Sequence, residues 1–181
     1  VAKRIHAGEV IGRFSGRMEY GPRALGNRSI LYHAKEPDVN QWLNKRLGRT
    51  EFMPFAPVTL WEAREKCYVN VQGAEHAAEF MTMTFDCTEW MRRTCPAAVH
   101  VDGTARPQLI RREVNAEYYD IVKAYEKLSG IPCLINTSFN MHEEPIVCSP
   151  ADAVRAFLQG NLDGLAIGPC FVPHPGRRPA S

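Results

Sequence analysis

Metal-ligand spacing is the first thing this chain lacks. No two cysteines stand as C-x-x-C and no two histidines as H-x-x-x-H, although there are six of each. No metal site is therefore expected within the chain. The cysteines are dispersed, at 67, 87, 95, 133, 148 and 170, and read as free thiols of a reducing, cytoplasmic setting. Long apolar runs are missing too: none approaches the roughly 20 residues a helix needs to cross a bilayer. Nor is there an excess of one charge. The 22 lysines and arginines face 20 acidic residues, a balance that argues against general nucleic-acid binding but leaves room for a local basic pocket. Neither G-x-x-x-x-G-K-[ST] nor G-x-G-x-x-G occurs, so the chain has no P-loop and no dinucleotide-binding turn of the usual kind.

What is present is an intermixed series of strand and helix signals. VIGRFSG (10–16), FAPVTLW (55–61), IPCLINTSF (131–139) and LAIG (165–168) have strand character. The alternation in FMTMTFDC (80–87) predicts a half-buried strand with Met81, Met83 and Phe85 inward, and AAVHV (97–101) and PQLIRR (107–112) predict two more flanking the Asp102-Gly103-Thr104 turn. Helices are expected over PDVNQWLNKRLG, with Val39, Trp42, Leu43 and Leu47 on one face, and over a short polar stretch from Glu62 to about Tyr68. EYYDIVKAYEKLSG should be a helix that buries Tyr118, Ile121, Val122, Tyr125 and Leu128 and stops at Gly130. Ser149 should cap a last helix with Asp152 as reciprocal partner and Val154, Phe157 and Leu158 on its apolar face. The class is α/β (α+β) around a mixed sheet.

With no repeat or linker, one domain is expected over residues 1–172. The chain opens on Val1, inside what reads as a helix end running into a strand, so a longer parent protein is expected. Residues 173–181, PHPGRRPAS, read as a disordered tail.

Four stretches carry candidate chemistry. EYGPRALGNRSI sets Arg23 and Arg28 among glycines, where backbone N–H groups can approach an anion and guanidinium groups can grip it bidentately. The plainer alternative is that both arginines pair with carboxylates such as Glu19. NKRLGRTEFMPFAP places Lys45, Arg46 and Arg49 at a helix end, where the helix dipole alone favours cations, before a turn stiffened by Pro54 and Pro57. HVDGTARPQLI puts Arg106 after a turn. INTSFN ends a strand in Asn136, Thr137, Ser138 and Asn140, at the end of an α/β sheet where ligands usually sit. Ser138 lacks a G-x-S-x-G setting, so a hydrogen bond to phosphate is expected of it rather than nucleophilic attack. The residues themselves point to an anion pocket that acts by positioning and charge neutralisation, and they name no substrate.

Taken in order, EYGPRALGNRSI, RTEFMPFAP, HVDGTARPQ and NTSFN…EEPIV resemble the C-terminal domain of NodU/TobZ-type O-carbamoyltransferases, over nearly the entire chain. The resemblance implies a YrdC-like twisted mixed sheet with flanking helices. It implies an N-terminal ASKHA-type domain as partner, absent from this sequence and carrying the family's metal. It further implies that carbamoyl phosphate and ATP, the latter with magnesium, form carbamoyl adenylate here with loss of phosphate and pyrophosphate. The carbamoyl group then passes to an acceptor hydroxyl on a sugar or other small molecule at the partner domain.

Position by position, the resemblance makes Arg49, Arg106 and Ser138 the catalytic set and Arg23, Arg28, Lys45, Asn136, Thr137 and Asn140 the substrate-binding set. Relatives often carry Lys-x-Arg-Glu where this chain has Leu47-Gly48-Arg49-Thr50, and Lys45 is the candidate for the missing lysine. The alternatives are an activity like that of threonylcarbamoyl adenylate synthases, or an RNA-binding module. The charge balance and the lack of interleaved aromatic and basic residues speak against RNA.

Overall fold

Short apolar runs bounded by turn residues become strands that are covered on both sides. In the computed structural model, which describes residues 1–48 and 54–176, the elements run α1 (Ala2–His6), β1 (Ile11–Phe14), β2 (Arg28–Tyr32), α2 (Val39–Arg46), β3 (Ala56–Leu60), α3 (Arg64–Cys67) and α4 (Glu75–Ala78). Then come β4 (Phe85–Asp86), α5 (Glu89–Thr94), β5 (Thr104–Ala105), β6 (Gln108–Ile110), α6 (Ala116–Ser129), β7 (Cys133–Ser138), α7 (Pro150–Gln159), β8 (Gly164–Ile167) and β9 (Cys170–Pro173). Single 3₁₀ turns lie at Trp61–Ala63 and Pro96–Ala98.

Among the described residues one seven-stranded sheet runs in the order β6-β3-β7-β2-β1-β8-β9, and β4 and β5 make a separate ribbon. The large sheet is mixed: β6 and β3 are parallel, as are β1 and β8, and the other neighbours are antiparallel. This is the expected fold class. All residues of β1, β2 and β3 are buried, as strands covered on both faces must be. Helix α6 packs on α1, β3 and β7, and α7 packs on β1 and β8. No described helix is long and apolar enough to cross a membrane.

The capping signals hold. Asn115 accepts the Tyr118 N–H at the start of α6, and Gly130 closes that helix at φ +75°. Ser149 and Asp152 form the reciprocal box at α7. Burial follows the expected faces at Val39, Leu43, Leu47, Tyr118, Val122 and Tyr125.

Several expectations are corrected. The alternating Met81–Phe85 run is not a strand before Phe85: Met81 takes φ +56°, which breaks the pleat, and Met83 is exposed. AAVHV forms a 3₁₀ turn and a bend instead of a strand, because Pro96 starts a turn there. Val154 and Leu158 of α7 are exposed, since the small Ala153 and Ala156 with Phe157 form the inward face. Leu128 of α6 is exposed as well. Beyond residue 172 the described chain continues, with Pro173 in β9 and the His174 N–H donating to Asp163 O. The rest of the expected tail, from 177, lies outside the described residues.

Candidate active site

Register decides where the four stretches meet. Strand β7 is antiparallel to both β3 and β2, and its C-terminal residues pair with the N-terminal ends of both: Asn136 opposes Ala56 and Ser138 opposes Ser29. Strand β6 is parallel to β3, so its N-terminal end, with Arg106 just before it, points the same way. The loop before β2, the turn before β3, the turn before β6 and the end of β7 therefore share one edge of the sheet. They frame an open cleft lined by Pro22, Arg23, Ala24, Pro54, Ala56, Met81, Arg106 and Asn136–Thr137–Ser138.

The loop carrying Arg23 is tied down at many points. Glu19 Oε1 accepts the N–H groups of Leu25 and Asn27 at 2.9 and 2.6 Å, so the expected carboxylate partner of the arginines holds backbone instead. Buried Arg13 donates to Gly26 O at 2.5 Å and to Asn27 Oδ1 at 3.1 Å, and reaches Glu117 at 3.1 Å. Gly26 sits at φ +122° against Tyr118; a Cβ there would lie 2.2 Å from the ring. On the cleft side, Asn136 Nδ2 donates to Ala24 O at 3.0 Å and to Gln108 Oε1 at 2.8 Å, and Gln108 Nε2 donates to Leu25 O at 2.8 Å.

This frame separates the expected site residues. Arg23 and Arg106 both line the cleft, and among the described residues neither has a hydrogen-bonded or ion-paired partner. Burial and the nearby Arg23 charge pull the Arg106 guanidinium below its ordinary pKa, so two like charges face one space with no carboxylate among the described residues of its lining. Asn136, Thr137 and Ser138 join them. Ser138 Oγ donates to Asn140 Oδ1 at 2.7 Å while Asn140 Nδ2 donates to Glu144 O at 2.7 Å. Asn140 thus orients Ser138 from outside the lining.

Arg28, expected to bind substrate, is not among the described residues of the cleft lining. It is buried, stacks 3.6 Å over the Phe14 ring, and donates to Ser15 O, Asn27 O and Gly16 O at 2.9, 2.8 and 3.2 Å. Its charge is spent on backbone carbonyls. Lys45 is exposed on α2 and outside the cleft lining. Arg49 lies outside the described residues.

Sequence reasoning missed Gln108, Met81 and Arg13. Gln108 left a signal, a polar side chain inside the apolar strand PQLI, and buried polar residues are there to be hydrogen-bonded. Met81, expected to face inward, is buried, yet it also forms cleft wall.

Residues 2–174 match the family described as "Carbamoyltransferase C-terminus". The chain belongs to this carbamoyltransferase C-terminal family. Nodulation protein NolO of Bradyrhizobium diazoefficiens is 41% identical over 175 residues, which is 96% of this chain and 31% of that protein. Nodulation protein NolNO of Sinorhizobium fredii is 42% identical over 94% of this chain and 25% of its own length. The carbamoyltransferase domain described here thus spans about a quarter to a third of the relatives it matches. Among solved structures, full-length HypF in a phosphate- and nucleotide-bound form superposes at a TM-score of 0.58 with 18% identity, over 92% of this chain and 23% of that one. HypF of T. kodakarensis gives 0.57 with 20% identity, over 91% and 20%. At such identities the likeness is one of fold.

Proposed function

We propose that this domain forms carbamoyl adenylate from carbamoyl phosphate and ATP, as one half of a carbamoyltransferase whose acceptor hydroxyl is met in the N-terminal domain of the longer protein. The observation that carries the reading is the pair of guanidinium groups, Arg23 and Arg106, that face one cleft beside the polar end of β7 and have no partner among the described residues. Two cations at one open cleft, with no carboxylate in its described lining, suit a ligand with several negative charges. Family membership and the nucleotide- and phosphate-bound state of the HypF neighbour support the choice of ligands.

The chemistry balances with one water. Water cleaves the acyl phosphate to carbamate and phosphate. A carbamate oxygen then attacks the α-phosphorus of ATP, and the bond to the β-phosphate oxygen breaks to release pyrophosphate. In both steps negative charge builds on phosphoryl oxygens, and guanidinium groups facing the cleft are placed to offset it. Ser138 offers its hydroxyl to a phosphate oxygen by turning from Asn140. Arg49 would add a third cation. The described lining holds no carboxylate, so a magnesium ion would be carried by the nucleotide's phosphates rather than by these side chains.

Calorimetric titration of the full-length protein with ATP and with carbamoyl phosphate tests this. Arg106→Ala should weaken binding of the phosphate ligands about ten- to a hundredfold, the scale of one charge-assisted hydrogen bond. Unchanged affinities in the variant would sink the assignment.

A further inference from the structure

Among the described residues of the cleft lining, Arg23 and Arg106 bring only donors, and the side-chain amide of Asn136 brings a carbonyl acceptor. Asn136 is 2% exposed and lines the cleft, and its Oδ1 is buried with no hydrogen-bond partner among the described residues. Its orientation is not free. Ala24 O and Leu25 O are carbonyls and can only accept. Gln108 must therefore turn its Nε2 to Leu25 O and its Oε1 to Asn136, and Asn136 must turn its Nδ2 to Ala24 O and to Gln108. Two backbone carbonyls thus set both amides and leave Asn136 Oδ1 as a shielded acceptor. An unpaired acceptor shut off from water is costly, and a ligand N–H is what would relieve it.

We propose that Asn136 Oδ1, held in register by Gln108, selects an acyl phosphate whose acyl carbon bears an N–H donor. The inference rests on the activation reading above and adds a specificity element to it. Arginines and hydroxyls grip the phosphate end of any acyl phosphate, so they cannot tell an amino group from a methyl group. Asn136 can: a methyl in the same place leaves Oδ1 buried and unpaired. Sites built to bond a polar group discriminate strongly against the analogue that lacks it.

The full-length protein is titrated with ATP, carbamoyl phosphate and acetyl phosphate, which puts CH₃ in place of NH₂. Acetyl phosphate should bind at least about tenfold more weakly. Asn136→Thr, whose hydroxyl can still donate to Ala24 O or Gln108 and whose branched side chain suits a strand, should bring the two acyl phosphates within about threefold of each other. Asn136→Leu should do the same, and melting curves report which variants are folded. If ATP and both acyl phosphates bind the parent equally well, the specificity role is overturned and the activation reading stands. A gap that persists in a folded Asn136 variant places the acceptor elsewhere and also overturns it. If neither acyl phosphate nor ATP binds the folded parent, the activation reading fails, and this inference with it.

Discussion

Arg23 and Arg28 stand five residues apart in one turn-rich loop, yet they do opposite work. Arg28 is buried, donates to three backbone carbonyls and lies over Phe14. Arg23 is exposed, lines the cleft, and has no partner among the described residues. Both sit where glycine gives the backbone freedom, and both look equally suited to an anion. The difference is register: Arg28 begins β2, whose pairing with β1 fixes where its side chain must go, and Arg23 lies before the strand begins. A guanidinium inside the frame builds the site, and one outside it is left for the ligand.

The largest effect should come from removing the builder. Arg28→Ala leaves the carbonyls of Ser15, Gly16 and Asn27 without that donor and empties the space over Phe14, for a loss of about 2–4 kcal/mol in stability. The urea midpoint of the domain's unfolding transition reports it. Arg28→Lys should recover little, because an ammonium cannot fork to separated carbonyls. A midpoint that stays put in both variants would erase the distinction drawn between the two arginines.

Gly26→Ala should damage both roles at once. The new Cβ would meet the Tyr118 ring at 2.2 Å and would stand at a φ of +122°. The loop must shift away from α6, at a cost of about 1–3 kcal/mol, and Arg23 shifts with it. Stability and carbamoyl phosphate affinity should fall together. Loss of only one would show that the loop's anchor and its ligand-facing part are mechanically separate.

Arg23→Ala should leave the urea midpoint unchanged or slightly raised, since it removes a charge that repels Arg106. Its effect belongs in binding, about tenfold or more, and should shrink as salt rises because Arg23 is exposed. If Arg23→Ala melts the domain as Arg28→Ala does, then it too belongs to the frame.

Much of the fold was legible because capping and face patterns are local: the Ser149–Asp152 box and the Gly130 stop depend on residues within a few positions of each other. Convergence of the four stretches was legible only as a shared chemical character, because the register that joins Asn136 to Ala56 links residues 80 positions apart. Met81 and Met83 show the limit of periodicity. Alternation describes a strand only if a partner strand is alongside, and from 80 to 84 none pairs with them in the sheets described. Asn136 was legible as a polar strand end, but its free oxygen was not. That depends on two carbonyls from a loop more than 100 residues away.

The smallest effect should come from Lys45, and it sharpens the comparison because it is a cation of neither kind. Its neighbour Arg46 reaches Asn161 O at 2.9 Å and Asp163 at 3.2 Å, tying α2 to the segment before β8. Lys45 points to solvent in the last turn of α2, where a cation is favoured by the helix dipole alone. Lys45→Ala should therefore lower stability by no more than about 0.5 kcal/mol, within the dipole's range. Affinity for ATP and carbamoyl phosphate should change less than about twofold, as expected of an exposed charge outside the cleft and screened by solvent. A tenfold loss would instead mean that Lys45 reaches the bound phosphates and supplies the lysine that relatives carry nearer the proline turn. The ligand-facing set would then extend onto a helix end that the cleft does not include.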